Sequence, residues 1–90
     1  MLDRKHFNIP DSTYESLKRY VEHGIPTGDF LYAVLTNNLM DAIGRADIHN
    51  SAALKDIVAF VYNELPSSAW KTKENVAQWI KHQGLKGLKQ

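Results

Sequence analysis

Apolar residues recur at spacings of three and four positions along most of the chain, a pattern typical of α-helices that bury one face. Four segments carry the pattern, at about residues 12–23, 28–46, 51–65 and 72–83. The third is the most regular, with one face formed by Leu54, Ile57, Val58, Val61 and Leu65. We therefore expect an all-α protein, a compact bundle of about four short helices.

Each helix is expected to direct its apolar face into a shared core. In the first helix this face consists of Tyr14, Leu17, Tyr20 and Val21. In the second it consists of Leu31, Val34, Leu35, Leu39, Ala42 and Ile43. In the fourth it consists of Val76, Trp79 and Ile80.

The segment GIPTGDF, residues 24–30, is predicted to form the corner between the first two helices. Gly24 is the kind of residue that ends a helix in a left-handed conformation, and Pro26 prevents the helix from continuing. Thr27 is expected to cap the second helix. Asp29 lies in its first turn, where the helix dipole favours a negative charge. No ligand is needed to explain this segment.

Other boundaries carry their own capping signals. Ser12 begins a capping-box spacing at the start of the first helix. Asn50 or Ser51 is expected to cap the third helix, and Thr72 the fourth. Pro66 closes the third helix.

Length and composition indicate one helical domain over residues 1–90, with 1–10 as an extended N-terminal arm and 84–90 as a basic, frayed tail. The composition, 43% hydrophobic and 23% charged, is that of a globular protein rather than a disordered one. The sequence has no cysteine, no signal-peptide pattern and no apolar run long enough to span a membrane. A cytoplasmic location is expected.

Charge is unevenly distributed, although the net charge is only +1. Residues 1–66 contain six Lys or Arg against nine Asp or Glu, whereas residues 67–90 contain five lysines against one glutamate. The basic C-terminal part suggests either an acidic partner or a solvated surface.

Known catalytic and metal-binding motifs are not found in the sequence. The histidines at positions 6, 23, 49 and 82 lack the spacing of a zinc site, and there is no nucleophile elbow, phosphate-binding loop or HExxH motif. We therefore expect a protein that is not an enzyme and that has no cofactor or metal.

A polar stripe on the second predicted helix is one candidate contact surface. Asn37, Asp41 and Arg45 follow one another at i+4 steps, and Asn38 adjoins them. One interpretation is a solvated face with an Asp41–Arg45 ion pair, worth about 0.2–0.5 kcal/mol. The other is a polar network or partner surface, because two asparagines inside a helix cost roughly half a kcal/mol each relative to alanine.

Two further candidate sites lie near helix ends. The backbone N–H groups around Thr27 and Gly28 have the geometry of an anion site, although the carboxylate of Asp29 opposes an anion there. Trp70 stands beside Lys71 and Lys73, an arrangement suited to stacking a base and contacting phosphate. Alternatively, Trp70 closes one end of the core.

The stretch GIPTGDFLYAVLTNNLMDAIGRAD, followed by Asn50, VYNELP and Trp70, resembles a family of small proteins encoded by tailed bacteriophages and prophages. The family core is GIPxGxFLxAVLxNxLxxAxGRADxxN, and the resemblance covers roughly residues 9–80. The matching positions include Gly24, Pro26, Gly28, Phe30, Gly44, Arg45, Asp47 and Asn50. It implies a phage-borne protein, acting in the cytoplasm of a bacterial host, and the family has no established activity.

The chain departs from this family at Lys71-Thr72-Lys73, where the relatives tend to have a Gly-Ser-Pro turn. The basic surroundings of Trp70 are therefore a feature of this chain.

Three functions are compatible with these observations. The first is a non-enzymatic counter-defence protein, expected to be a homo-oligomer, that binds a host protein or sequesters a nucleotide signal. The second is a nucleic-acid-binding accessory protein that uses the C-terminal lysines, and the third is a structural or assembly protein of the virion. No contact with a membrane is expected.

Overall fold

The chain folds into short α-helices joined by tight turns, in a computed structural model that describes residues 2–88. The helices are α1 Asp11–His23, α2 Asp29–Leu35, α3 Leu39–Arg45, α4 Ile48–Ala52, α5 Leu54–Glu64, α6 Lys73–Lys81 and α7 Gly84–Leu88, with a 3₁₀ turn at Ser67–Ala69. Residues 2–88 form no strand, which confirms the all-α class, but they form seven α-helices rather than about four. None of these helices is long and apolar enough to cross a membrane.

The second predicted helix, over 28–46, is interrupted in its middle. Asn37 has a left-handed backbone with φ of 62°, and the next residue, Asn38, accepts a hydrogen bond on its side chain from the backbone N–H of Asp41 at 3.2 Å. The asparagines therefore end α2 and cap α3, two tasks to which asparagine is well suited. The prediction of one continuous helix, with Asn37, Asp41 and Arg45 on one stripe, is wrong.

Some capping predictions are confirmed and others are wrong. Gly24 ends α1 with φ of 69°, and the Thr72 side chain caps α6 by accepting a hydrogen bond from the Asn75 N–H at 3.0 Å. By contrast, α1 begins at Asp11 without a side-chain cap, so Ser12 does not cap it, and the cap of α2 is Gly28 rather than Thr27.

The third predicted helix is also divided, into α4 and α5. Asp47 caps α4 by accepting a hydrogen bond from the Asn50 N–H at 2.7 Å, so neither Asn50 nor Ser51 is the cap. Ala53 separates α4 from α5, with its own N–H bonded to the His49 carbonyl.

The centre of the core is organised by Tyr20 of α1, which is fully buried and linked to two other elements. Its hydroxyl donates to the Ala69 carbonyl at 2.6 Å, and its own carbonyl accepts from Trp79 Nε1 at 3.0 Å. These bonds satisfy polar groups that would be costly to bury unpaired. Burial raises the pKa of the Tyr20 phenol well above its usual value.

Both ends of the described part of the chain, residues 2–88, pack on this core. In the arm, Ile9 is buried and Phe7 meets Phe60 edge to face, with ring centroids 5.5 Å apart. At the other end, residues 84–88 form α7 within the segment 84–90 that was predicted to be a frayed tail; residues 89–90 lie outside the described part of the chain. α7 begins at Gly84, whose backbone lies directly against that of Gly24.

Lys71 has a backbone conformation that favours glycine, with φ of 93°. Because a side chain in this region costs about 1–3 kcal/mol, we expect Lys71→Gly to raise the free energy of unfolding by about 1 kcal/mol after the larger entropy of an unfolded glycine is included. For a domain of this size, that corresponds to a melting temperature about 4–8 °C higher.

Urea unfolding followed by circular dichroism measures the effect of Lys71→Gly. Lys71→Ala is the control, since it removes the amine but keeps the Cβ atom in its strained position. Equal stabilisation by both substitutions would attribute the gain to the lost charge and contradict the backbone explanation.

Candidate functional site

A polar groove of about 250 Å³ runs between α1 and the segment that joins α3 to α4. α1 contributes Ser12, Thr13 and Ser16, and the start of α2 contributes Gly28 and Asp29. The opposite wall carries Arg45, Asp47 and Asn50, and the remaining lining is supplied by Phe30 and Leu31.

Arg45 forms ion pairs with two carboxylates at this groove. Its Nε donates to Asp41 Oδ2 at 3.1 Å, as the i+4 spacing predicts, and its Nη1 donates to Asp29 Oδ2 at 3.2 Å. The second pair joins α3 to the start of α2 across 16 positions of sequence. All three side chains are exposed to solvent, so each pair is expected to contribute little stability.

A second set of bonds fastens α1 to α4. The hydroxyl of the buried Thr13 donates to Asn50 Oδ1 at 2.6 Å, while the Asn50 N–H donates to Asp47. The groove therefore contains polar groups that already satisfy one another. Two aspartates in its lining against one arginine also make it unsuited to phosphate, which disfavours the candidate anion site at Thr27 and Gly28.

Asn50→Ala tests this network. The substitution leaves the buried Thr13 hydroxyl without its acceptor, so we expect the free energy of unfolding to fall by about 1–2 kcal/mol. Asn63→Ala is the matched control, because the Asn63 amide only donates to the Ala59 carbonyl on the exposed side of α5. Urea unfolding measures the free energy of unfolding of both variants. An equal decrease in both would mean that the Thr13–Asn50 bond contributes no measurable stability.

The second candidate is an apolar surface on α3 and α5, defined by five large side chains that remain exposed. The exposed fractions are 55% for Leu39, 79% for Met40, 51% for Ile43, 41% for Val58 and 71% for Tyr62. Leu39, Val58 and Tyr62 lie along a shallow groove of about 500 Å³ between the two helices. Lys55, Leu54, Ala59 and Asn63 complete its lining.

The apolar surface continues to the side of Trp70. The rings of Tyr62 and Trp70 meet edge to face with centroids 6.1 Å apart, and the Lys71 ammonium lies 5.7 Å from the centre of the Trp70 ring. Trp70 is half-buried, so it both packs on the core and borders this surface. Its indole N–H is buried without an acceptor among residues 2–88.

The structure distributes the predicted contact residues over both surfaces. Gly28 and Arg45 line the polar groove, and the Thr27 hydroxyl adjoins it by donating to the Gly28 carbonyl at 3.3 Å. Asn37 and Asn38 line a small hollow next to Leu39 and Val58, at the edge of the apolar surface. Asp41 pairs with Arg45, and Lys73 is exposed at the start of α6.

Sequence reasoning missed the apolar surface. Leu39, Ile43 and Val58 were expected in the core but are exposed, and Met40 and Tyr62 were not predicted as contacts. The available signal was the segment Leu39–Ile43, in which four of five residues are apolar. One buried helical face cannot accommodate all four.

Within the part of the chain that the structure describes, no group of three or more His, Asp or Glu side chains is arranged to hold a metal ion. No family model, curated protein or solved structure matches the chain.

Proposed function

We propose that this protein is a non-enzymatic binding protein that packs its apolar surface against a protein of the bacterial host, and that it thereby counters a host defence. The observation that carries the proposal is the exposure of Leu39, Met40, Ile43, Val58 and Tyr62 on two adjacent helices. The resemblance to phage-encoded proteins supplies the biological setting.

The physical argument rests on the cost of leaving such a surface in water. Monomeric soluble proteins rarely expose contiguous apolar patches larger than a few hundred Å², and larger ones usually mark interaction sites. Covering this surface with a partner recovers about 25 cal/mol for each Å² of apolar area removed from water. Tyrosine and methionine are also enriched at protein interfaces, and the most exposed members of the surface are Met40 and Tyr62.

The alternative of sequestering a nucleotide has less support. The polar groove, at about 250 Å³, is at the small end of ligand pockets, and its carboxylates would repel a phosphate. Its arginine is already paired with two aspartates. Protein binding at the apolar surface therefore remains the better proposal.

Phage plating tests the proposed function. Bacteria carrying one of a panel of defence systems are infected with a restricted phage, with and without production of this protein. We expect plating to rise at least ten-fold with one or more systems, and we expect Met40→Glu and Tyr62→Glu each to abolish the gain. A charge placed within an apolar contact must be desolvated, which commonly costs several kcal/mol.

Ala77→Glu is the control for this experiment, because Ala77 is exposed on α6 and is not part of the apolar surface. It should plate like the unmodified protein. Rescue that survives both surface substitutions would move the binding site elsewhere, and the absence of rescue with every system would refute the counter-defence role.

A further inference from the structure

We infer that the apolar surface receives an amphipathic helix that carries acidic residues along the edges of its apolar face. This inference rests on the proposed function and specifies the kind of partner segment. It is carried by three features: the spacing of the exposed residues, the charges that border them, and the area they present.

The spacing fits a helix laid between α3 and α5. On α5 the exposed residues Lys55, Val58 and Tyr62 line the groove and are separated by three and four residues, as in the seam of packed helices. The exposed Asn63 extends the same lining. On α3, Leu39 and Ile43 are one turn apart. Proteins that recognise amphipathic helices use apolar grooves of this kind, and here the groove is lined by α5 and by Leu39 at the start of α3.

The charged side chains that border the apolar surface are mainly positive. Lys55 lines the groove, and Lys71 lies over Trp70 beside Tyr62. The two acidic side chains of α5 bind the N-terminal arm. Asp56 accepts a hydrogen bond from the Asn8 N–H at 3.1 Å, and Glu64 accepts one from the Asp3 N–H at 3.0 Å.

The charges on α3 do not change this balance. Asp41 and Arg45 are paired with each other, and Arg45 is also held by Asp29. A partner helix with Glu or Asp beside its apolar face therefore gains complementary charge from Lys55 and Lys71, whereas a lysine-bearing helix is repelled.

The area of the apolar surface is large enough to receive one helix but too small for a large, permanent interface. Five partly exposed side chains present on the order of 500 Å², below the roughly 800 Å² that each partner buries in a standard stable complex. Binding is accordingly expected to be moderate, with a Kd on the order of 1–100 μM, and to depend on the charged border.

Two synthetic peptides of 18 residues test the inference. Both have the same leucine face at i, i+3, i+4 and i+7 spacing, and their flanking positions are all glutamate in one and all lysine in the other. Fluorescence anisotropy with the purified protein should give at least ten-fold tighter binding of the glutamate peptide at 50 mM salt. The difference should shrink at 300 mM salt, because exposed charges are screened.

Four variants separate the possible results. Val58→Glu should abolish binding, Ala77→Glu should leave it unchanged, and the double substitution Lys55→Glu with Lys71→Glu should reverse the peptide preference. Circular dichroism checks that each variant is folded, and Lys55→Gln with Lys71→Gln provides a milder version that should remove the preference.

Equal binding of the two peptides, lost in Val58→Glu, would overturn the charge inference and leave the proposed function standing. No binding of either peptide would overturn the inference, and sedimentation of the same sample then identifies the occupant. A dimer that Val58→Glu dissociates would place a second copy on the surface. A monomer that binds neither peptide would overturn the inference alone, because the plating experiment tests the proposed function separately.

Discussion

Replacing Gly84 with alanine is expected to lower the free energy of unfolding by roughly 3–4 kcal/mol, through backbone strain and overpacking together. Gly84 has φ of 65°, where an alanine is strained. Its added Cβ would also lie 2.5 Å from the Val21 carbonyl oxygen and 2.7 Å from the Gly24 nitrogen. Both are backbone atoms, so relief requires α7 to move away from the end of α1. The measurement is urea unfolding followed by circular dichroism at 222 nm.

Gly44→Ala is the matched control for Gly84→Ala. Gly44 lies within α3, and an added Cβ there has nothing within 4 Å. Alanine is the better helix former, so this variant should be more stable by about 0.5–1 kcal/mol. If Gly84→Ala instead cost less than about 1 kcal/mol, the close contact between α1 and α7 would be refuted, since strain alone accounts for that much.

Local signals in the sequence predicted the features that depend on neighbouring residues. Gly24 ends α1 and Thr72 caps α6 because each acts on backbone groups a few positions away. The contact between Gly24 and Gly84 was not predicted. Their approach is set by the packing of α1 against α7, which no local pattern contains.

The interruption at Asn37 and Asn38 was visible in the sequence but was misinterpreted. The poor helix propensity of the two asparagines was interpreted as a sign of a polar network or partner surface that offsets the cost to the helix. In the structure the asparagines end one helix and cap the next. A left-handed asparagine followed by a capping asparagine is a local signal for a break. It was outweighed by the apolar spacing, which continues from Leu31 to Ile43 without a change of period.

The apolar surface could not have been predicted from periodicity. The pattern of Leu39, Ile43 and Val58 indicates which residues share a face, but it does not indicate whether another element covers that face. Breaking the long helix after Leu35 gives α3 a new direction, and its apolar residues then outnumber the positions that the core can cover. Exposure therefore follows from the tertiary arrangement.

Trp79→Phe is expected to lower the free energy of unfolding by about 2–3 kcal/mol, from a lost hydrogen bond and a partly emptied site. Trp79 is fully buried, and its Nε1 donates to the Tyr20 carbonyl at 3.0 Å. That carbonyl also accepts from the Gly24 N–H at 2.8 Å, so it keeps one partner in the variant. The lost bond joins α6 to α1, and urea unfolding measures its contribution.

Trp70→Phe is the control for Trp79→Phe, because both substitutions replace an indole ring by a phenyl ring. The comparison distinguishes the loss of the hydrogen bond to Tyr20 from the effect of the smaller ring. The Trp70 N–H is buried without an acceptor in residues 2–88, so its removal relieves a desolvation cost instead of breaking a bond. The half-buried ring should still pack beside Tyr62, and we expect a cost below about 1 kcal/mol. Equal costs for the two tryptophans would mean that the bond from Trp79 to Tyr20 contributes no measurable stability, and that the core is held at this point by packing alone.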